Sequence, residues 1–157
     1  MSSAATVTRL ANLIEAEFTQ LRRFMDVLER EEALLVAGDI DALQALTAEK
    51  TEIFQQLQRQ HDARALLLGS ERLPNEDASV RSVCKGAPAT LARWDATLAL
   101  AREARARNQI NGKLINERMK NNQAGLSVLL TAAQAPQLYD ASGAARPAGR
   151  GRHLGSA

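Results

Sequence analysis

The chain offers three sorts of side chain that could do chemistry. Glu29, Glu31 and Glu32 supply carboxylates, Cys84 a thiol, and His61 and His153 two imidazoles. General acid–base or nucleophilic work needs such groups paired, with an activating partner held beside each. No such pairing is visible. The carboxylates fall in a charge run typical of a solvated helix face. A single cysteine can form no internal disulfide, and the histidines have no partner at metal-ligand spacing. Phosphate-cradling GxxxxGK[ST] and GxGxxG loops and the HExxH zinc motif are missing from the sequence. The chain therefore reads as no enzyme, with no cofactor and no metal.

A second group of residues recognises rather than reacts. The stretch NQINGKLINERMKNNQ, residues 108–123, holds five asparagines and Gly112 within a segment of helical periodicity. Asn competes for backbone hydrogen bonds and Gly costs about 1 kcal/mol against Ala in a helix, so both are expensive there. Steps of three and four from Leu91 give Trp94, Leu98, Ala101, Arg105, Asn108, Gly112, Ile115, Met119, Asn122, Leu126 and Leu129. This seam is apolar at both ends and small or polar in the middle. Three readings follow. The amides fix register at a cost in stability, the glycine lets two helices approach closely, or the strip is a docking surface for another protein's helix.

The elements that must position this strip are helices. Among 157 residues aromatics make up 3%, and Ala, Leu, Arg, Gln and Glu dominate, a composition of long helices. Val7, Ile14, Leu21, Leu28 and Leu35 recur every seven residues and predict a first helix over about 4–37. The stripe breaks at Glu31 and Glu32, where the seam is expected to loosen or face solvent. Gly38 supplies the left-handed stop, and Asp39 or Asp41 caps a second helix carrying Leu43, Leu46, Ile53, Phe54 and Leu57. So short a connection predicts an antiparallel hairpin. A break follows around Gly69 and Pro74, then a short extra helix near 75–84. Pro88 suits the first position of a third long helix, which the pattern continues to about Ala135, on the order of 70 Å. The fold class expected is all-α: an antiparallel bundle of three long helices with coiled-coil-like packing over 1–135, then a flexible Gly/Arg/Pro-containing tail over 136–157.

The charge is divided. Residues 1–79 carry 14 acids and 8 bases, while residues 80–157 carry 4 acids and 12 bases. A chain folded back on itself would match these halves against each other. Nucleic acid is the other candidate for Arg102, Arg105, Arg107, Lys113, Arg118 and Lys120, but no aromatic residues interleave to stack on bases, so no nucleic-acid partner is expected. No apolar run approaches the roughly 18 residues of a membrane span, and the N-terminus lacks a secretory pattern. A cytoplasmic protein without stable membrane insertion is expected, and an exposed seam could pair two copies as a homodimer.

Two segments carry a resemblance. EREEALLVAGDIDALQALTAEKTEIFQQL, beginning at Glu29, and RNQINGKLI, ending at Ile115, together with Asn122, a Leu-rich helix end and Tyr139, resemble the FlgN family of flagellar export chaperones over roughly Leu10 to Gly143. The resemblance implies a non-enzymatic chaperone of type III secretion that binds the C-terminal helical segments of the hook–filament junction proteins FlgK and FlgL and delivers them to the export gate. It implies a client-binding groove of Asn108, Asn111, Gly112, Leu114, Ile115, Met119, Asn122 and Leu126, entered by an amphipathic helix. Tyr139 would anchor client or export gate, or pack back on the end of the helices. The other reading of the same pattern is a cytoplasmic coiled-coil adaptor or regulator without a secretion client.

Overall fold

A computed structural model describes residues 2–121 and 126–134. Within them lie five helices and no strand: α1 (Ala4–Ala37), α2 (Ile40–Ser70), α3 (Asp77–Val83), α4 (Pro88–Asn121) and α5 (Leu126–Ala133).

Local chemistry sets most of the boundaries. The Ser3 side chain accepts a hydrogen bond from the Thr6 amide and opens α1. Gly38 closes it in the left-handed region, at φ 73°, a conformation that costs glycine nothing. The Asp39 carboxylate then accepts from the Ala42 amide, 3.1 Å away, and starts α2 at once. α2 runs through Gly69, and the left-handed residue beyond it is Arg72, at φ 60°. Pro88 opens α4, where its missing N–H leaves no helical bond unmade.

α1 is the shared element. Contacts from Glu17 to Arg64, Glu31 to Lys50 and Thr6 to Glu71 run α2 back along it in the opposite direction. Contacts from Glu15 to Arg93, Glu32 to Arg107 and Leu35 to Arg118 lay α4 along it in the same direction. Acids of the first half thus meet bases of the second across α1 and α4, as the divided charge predicts.

Apolar burial comes in three clusters strung along the helices. One contains Leu10, Ile14, Leu68, Val80, Cys84 and Trp94. The middle one joins Leu21, Phe24, Leu28, Ile53, Leu57 and Ala104. The third, beside the α1–α2 turn, holds Leu35, Leu43, Ile115, Leu129 and Ala132. Each fully buried Leu or Phe contributes about 1.5–3 kcal/mol. Ionic layers separate the clusters: Glu17 with Arg64 between the first two, Glu31 with Lys50 between the second and third.

Three expectations are corrected. Glu31 is fully buried and the seam stays closed there, because Lys50 neutralises it from α2; only Glu32 remains partly exposed, facing Arg107. The inward face of α4 is Trp94, Thr97, Ala101, Ala104, Asn111 and Ile115, so half of the anticipated seam is displaced by one residue, with Asn111 inward in place of Gly112. The single helix drawn from Pro88 to about Ala135 is two. α4 is continuous through Gly112 but ends at Asn121, about 50 Å from its start at 1.5 Å per residue. α5 packs back on α4 and α2. The segment 136–157 lies outside the described residues.

Candidate functional site

The amides of α4 answer a need created by the hairpin beneath them. Lys50 and Glu31 are both interior, with side chains 4% and 0% exposed. Taking an ammonium out of water is costly unless every donor finds an acceptor. Nζ of Lys50 has three donors. It reaches Glu31 Oε1 at 3.0 Å and Oε2 at 3.2 Å, and Asn108 Oδ1 at 2.7 Å. Asn111 serves the carboxylate: its Nδ2 donates to Glu31 Oε1 at 3.0 Å and to the Leu28 carbonyl at 2.9 Å. Burial lowers the Lys50 pKa below the ordinary lysine value, against the opposing pull of Glu31. Asn111 Oδ1 is buried without a hydrogen-bond partner.

The second ionic layer is treated in the same way. Arg64 pairs with Glu17, donates through Nε to Asn75 at 2.9 Å, and lies 4.8 Å from the centre of the Trp94 ring. Trp94 is interior, and its Nε1 donates to Asp77 at 2.7 Å. Burial pushes the Asp77 carboxyl up, but the bonds from Trp94 and Arg81 outweigh it and hold its pKa below the usual value.

The candidate client-binding residues therefore divide. Asn108 and Asn111 are engaged with the α1–α2 ion pair, and Ile115 is 1% exposed within the third cluster. Leu114 and Met119 are partly buried against that cluster. Leu126, on α5, is exposed. Gly112 faces open space: a Cβ built there would meet no heavy atom within 4 Å, so close helix approach is not its role. Beside it opens a recess of about 390 Å³, lined by Lys50, Asn108, Gly112, Lys113, Asn116 and the end of α5 at Ala132 and Ala133. Asn122 and Tyr139 lie outside the described residues.

Lys50, Lys113, Asn116 and the α5 alanines were not anticipated as lining residues. For Lys50 a signal existed, since Leu43, Lys50, Leu57 and Arg64 recur at intervals of seven. The bases of α4 are partly committed within the molecule. Arg107 faces Glu32 at 3.6 Å, and Arg118 donates to the Leu35 and Val36 carbonyls, each at 2.7 Å, capping the end of α1. Cys84 is buried, which raises its thiol pKa. Among the described residues no group of three His, Cys, Asp or Glu side chains could hold a metal ion, and no helix is long and apolar enough to cross a membrane.

The model of the family described as FlgN protein matches residues 1–147. The flagella synthesis protein FlgN of Salmonella typhimurium is 29% identical over 147 residues, covering 92% of this chain and 96% of its own length. The protein of the same description from Yersinia enterocolitica is 29% identical over 153 residues, covering 95% and 98%. That of Proteus mirabilis is 26% identical over 139 residues, covering 87% and 90%. No solved structure matches this chain.

Proposed function

The chain belongs to the FlgN family of flagellar synthesis proteins, and on that premise we propose that it is a cytoplasmic, non-enzymatic export chaperone of flagellar assembly. Its clients are the hook–filament junction proteins FlgK and FlgL, held by their C-terminal helical segments and delivered to the type III export gate. The three long helices act as the antiparallel bundle that carries the binding face.

The observation that supports the binding face is the recess beside Gly112. Having no side chain, Gly112 leaves room where the α4 surface is flanked by amides and lysines. Leu114 and Met119 lie partly buried close by. A partly apolar surface with polar margins suits a guest helix that must later leave. Asn108, Asn111 and Ile115 contribute from beneath by holding α4 at its height. Asn122, Leu126 and Tyr139 complete the proposed contact set, Tyr139 as an anchor for client or export gate.

The test is gel filtration and calorimetry of the full chain with C-terminal fragments of FlgK and FlgL, using Gly112→Leu to fill the recess. The wild type should form a complex and Gly112→Leu should bind at least about tenfold more weakly, a change of about 1.4 kcal/mol, with unchanged helix content. A complex indifferent to Gly112→Leu would move the site elsewhere. No complex at micromolar concentration would favour an adaptor without a secretion client.

A further inference from the structure

The part of α4 that faces the recess is already partly covered by this chain's own α5. Its sequence, LSVLLTAA, carries no charge. Leu129 and Ala132, three residues apart, enter a seat made by Leu35 of α1, Leu43 of α2 and Ile115 of α4. Its remaining leucines, Leu126 and Leu130, are 39% and 43% exposed.

The attachment is unlike that of α4. α4 is tied to α1 by polar bonds from Arg93, Asn111 and Arg118. Among the described residues, no α5 side chain makes a hydrogen bond or ion pair with α1, α2 or α4; the Thr131 hydroxyl donates back to the Ser127 carbonyl of its own helix. Helices below about 12–15 residues are marginal in water. Eight residues without a polar tie depend on the seat for their helical form. The seat also outlasts its occupant, for the recess continues past Ala132 and Ala133 along Gly112, Lys113 and Asn116.

We infer that α5 is a resident occupant that a partner's helix displaces. This rests on the reading that the same face takes a client. The resident shows what fits: an uncharged helical face with leucine and a small residue at i and i+3. A client helix longer than α5, laid in the same direction, passes the point where α5 stops and brings its C-terminal end towards Lys113. There the negative end of its dipole and an acidic residue or terminal carboxylate are favoured. The empty chaperone thereby keeps its apolar seat covered, and client binding exchanges one helix for a better-fitting one.

Two measurements on the full chain test this. Gln44 and Ser127 line one recess between α2 and α5. A Gln44→Cys/Ser127→Cys variant joined by a short bismaleimide bridge pins α5 down, while Cys84, being buried, stays out of the reaction. Bridging should weaken binding of a FlgK C-terminal fragment at least about tenfold relative to the unbridged variant, since the competent state is removed. Independently, amide exchange of the client-free wild type should be about a hundredfold faster in α5 than over 101–111 of α4. Equal affinity with and without the bridge overturns the displacement and leaves the chaperone reading standing. If no form binds the fragment, the chaperone reading fails. The exchange arm, which uses no client, then decides on α5 alone, and protection equal to that of α4 overturns the inference.

Discussion

Replacing Glu31 by Leu strikes the polar layer at its centre. Glu31 is fully buried, accepts from Lys50 at 3.0 and 3.2 Å and from Asn111 at 3.0 Å. Without it, the Lys50 ammonium keeps only Asn108 in a site 4% exposed. Removing one member of a buried ion pair costs about 3–5 kcal/mol, a large share of the roughly 5–15 kcal/mol of a whole domain. At about 2–4 °C per kcal/mol for this size of chain, the melting temperature should fall by about 6–20 °C. Glu31 is what holds the Lys50 pKa up against desolvation, so its loss lowers that value further. Between the folded value and the ordinary one the unfolded chain then binds more protons, and stability rises with pH. The deficit of Glu31→Leu should accordingly narrow as pH is raised towards the ordinary lysine value. Glu31→Leu/Lys50→Met removes both charges and should recover most of the loss, ending within about 1–2 kcal/mol of the wild type. Urea unfolding followed by far-ultraviolet circular dichroism measures these two variants and the single variant Lys50→Met beside the wild type. If the double variant loses as much as the two single variants together, the two charges are not coupled and the account of the α4 amides fails.

Other positions give independent checks. Gly112→Ala should raise stability by about 0.5–1 kcal/mol in urea unfolding, since the added methyl meets open space and the glycine entropy is removed. Gly38→Ala should lower it by about 1 kcal/mol, through the left-handed backbone and not through crowding, because Arg118 stands at an ordinary 3.5 Å from the new carbon. Arg118→Ala should cost about 1–3 kcal/mol and speed amide exchange selectively around the α1–α2 turn, where its guanidinium caps two carbonyls. Asp77 has a depressed pKa, so its stabilising contribution is present above the unfolded value and disappears as pH falls through the folded one. The fluorescence of Trp94, the single tryptophan, should change with a midpoint below that of an ordinary carboxylate, and Asp77→Asn should abolish the step.

Features governed by adjacent residues were legible in the sequence. Gly38 with Asp39, and Pro88, mark helix ends by conformations that need no distant partner, and the structure has them in those roles. The seven-residue recurrence from Ile14 to Leu35 was legible too, since a buried stripe imposes it. Glu31 was misread because one helix alone does not reveal that Lys50 stands opposite. The α4 register slipped because Ala101, Ala104 and Asn111 are a weak hydrophobic signal and a few large apolar residues dominate a count by threes and fours. The division between α4 and α5 was missed because leucines continue through residues 126–130. The asparagines of α4 stood out in the sequence as costly helix residues, but the bonds of Asn108 and Asn111 depend on two other helices.

The ionic layers also bear on how the hairpin is assembled. On α1, Leu10, Glu17, Phe24 and Glu31 follow at sevens; on α2, Leu43, Lys50, Leu57 and Arg64 do the same. Were all eight apolar, sliding one rod past the other by seven residues, about 10 Å, would give an interface nearly as good as the native one. With the charges in place, that slide sets Glu31 against Leu43 or Leu57 and breaks both ion pairs. A slide of fourteen matches one pair at most. Two carboxylates and two cations therefore act as a vernier scale with a single coincidence, so that a nascent chain collapsing a heptad out of step finds itself in a shallow, quickly abandoned trap.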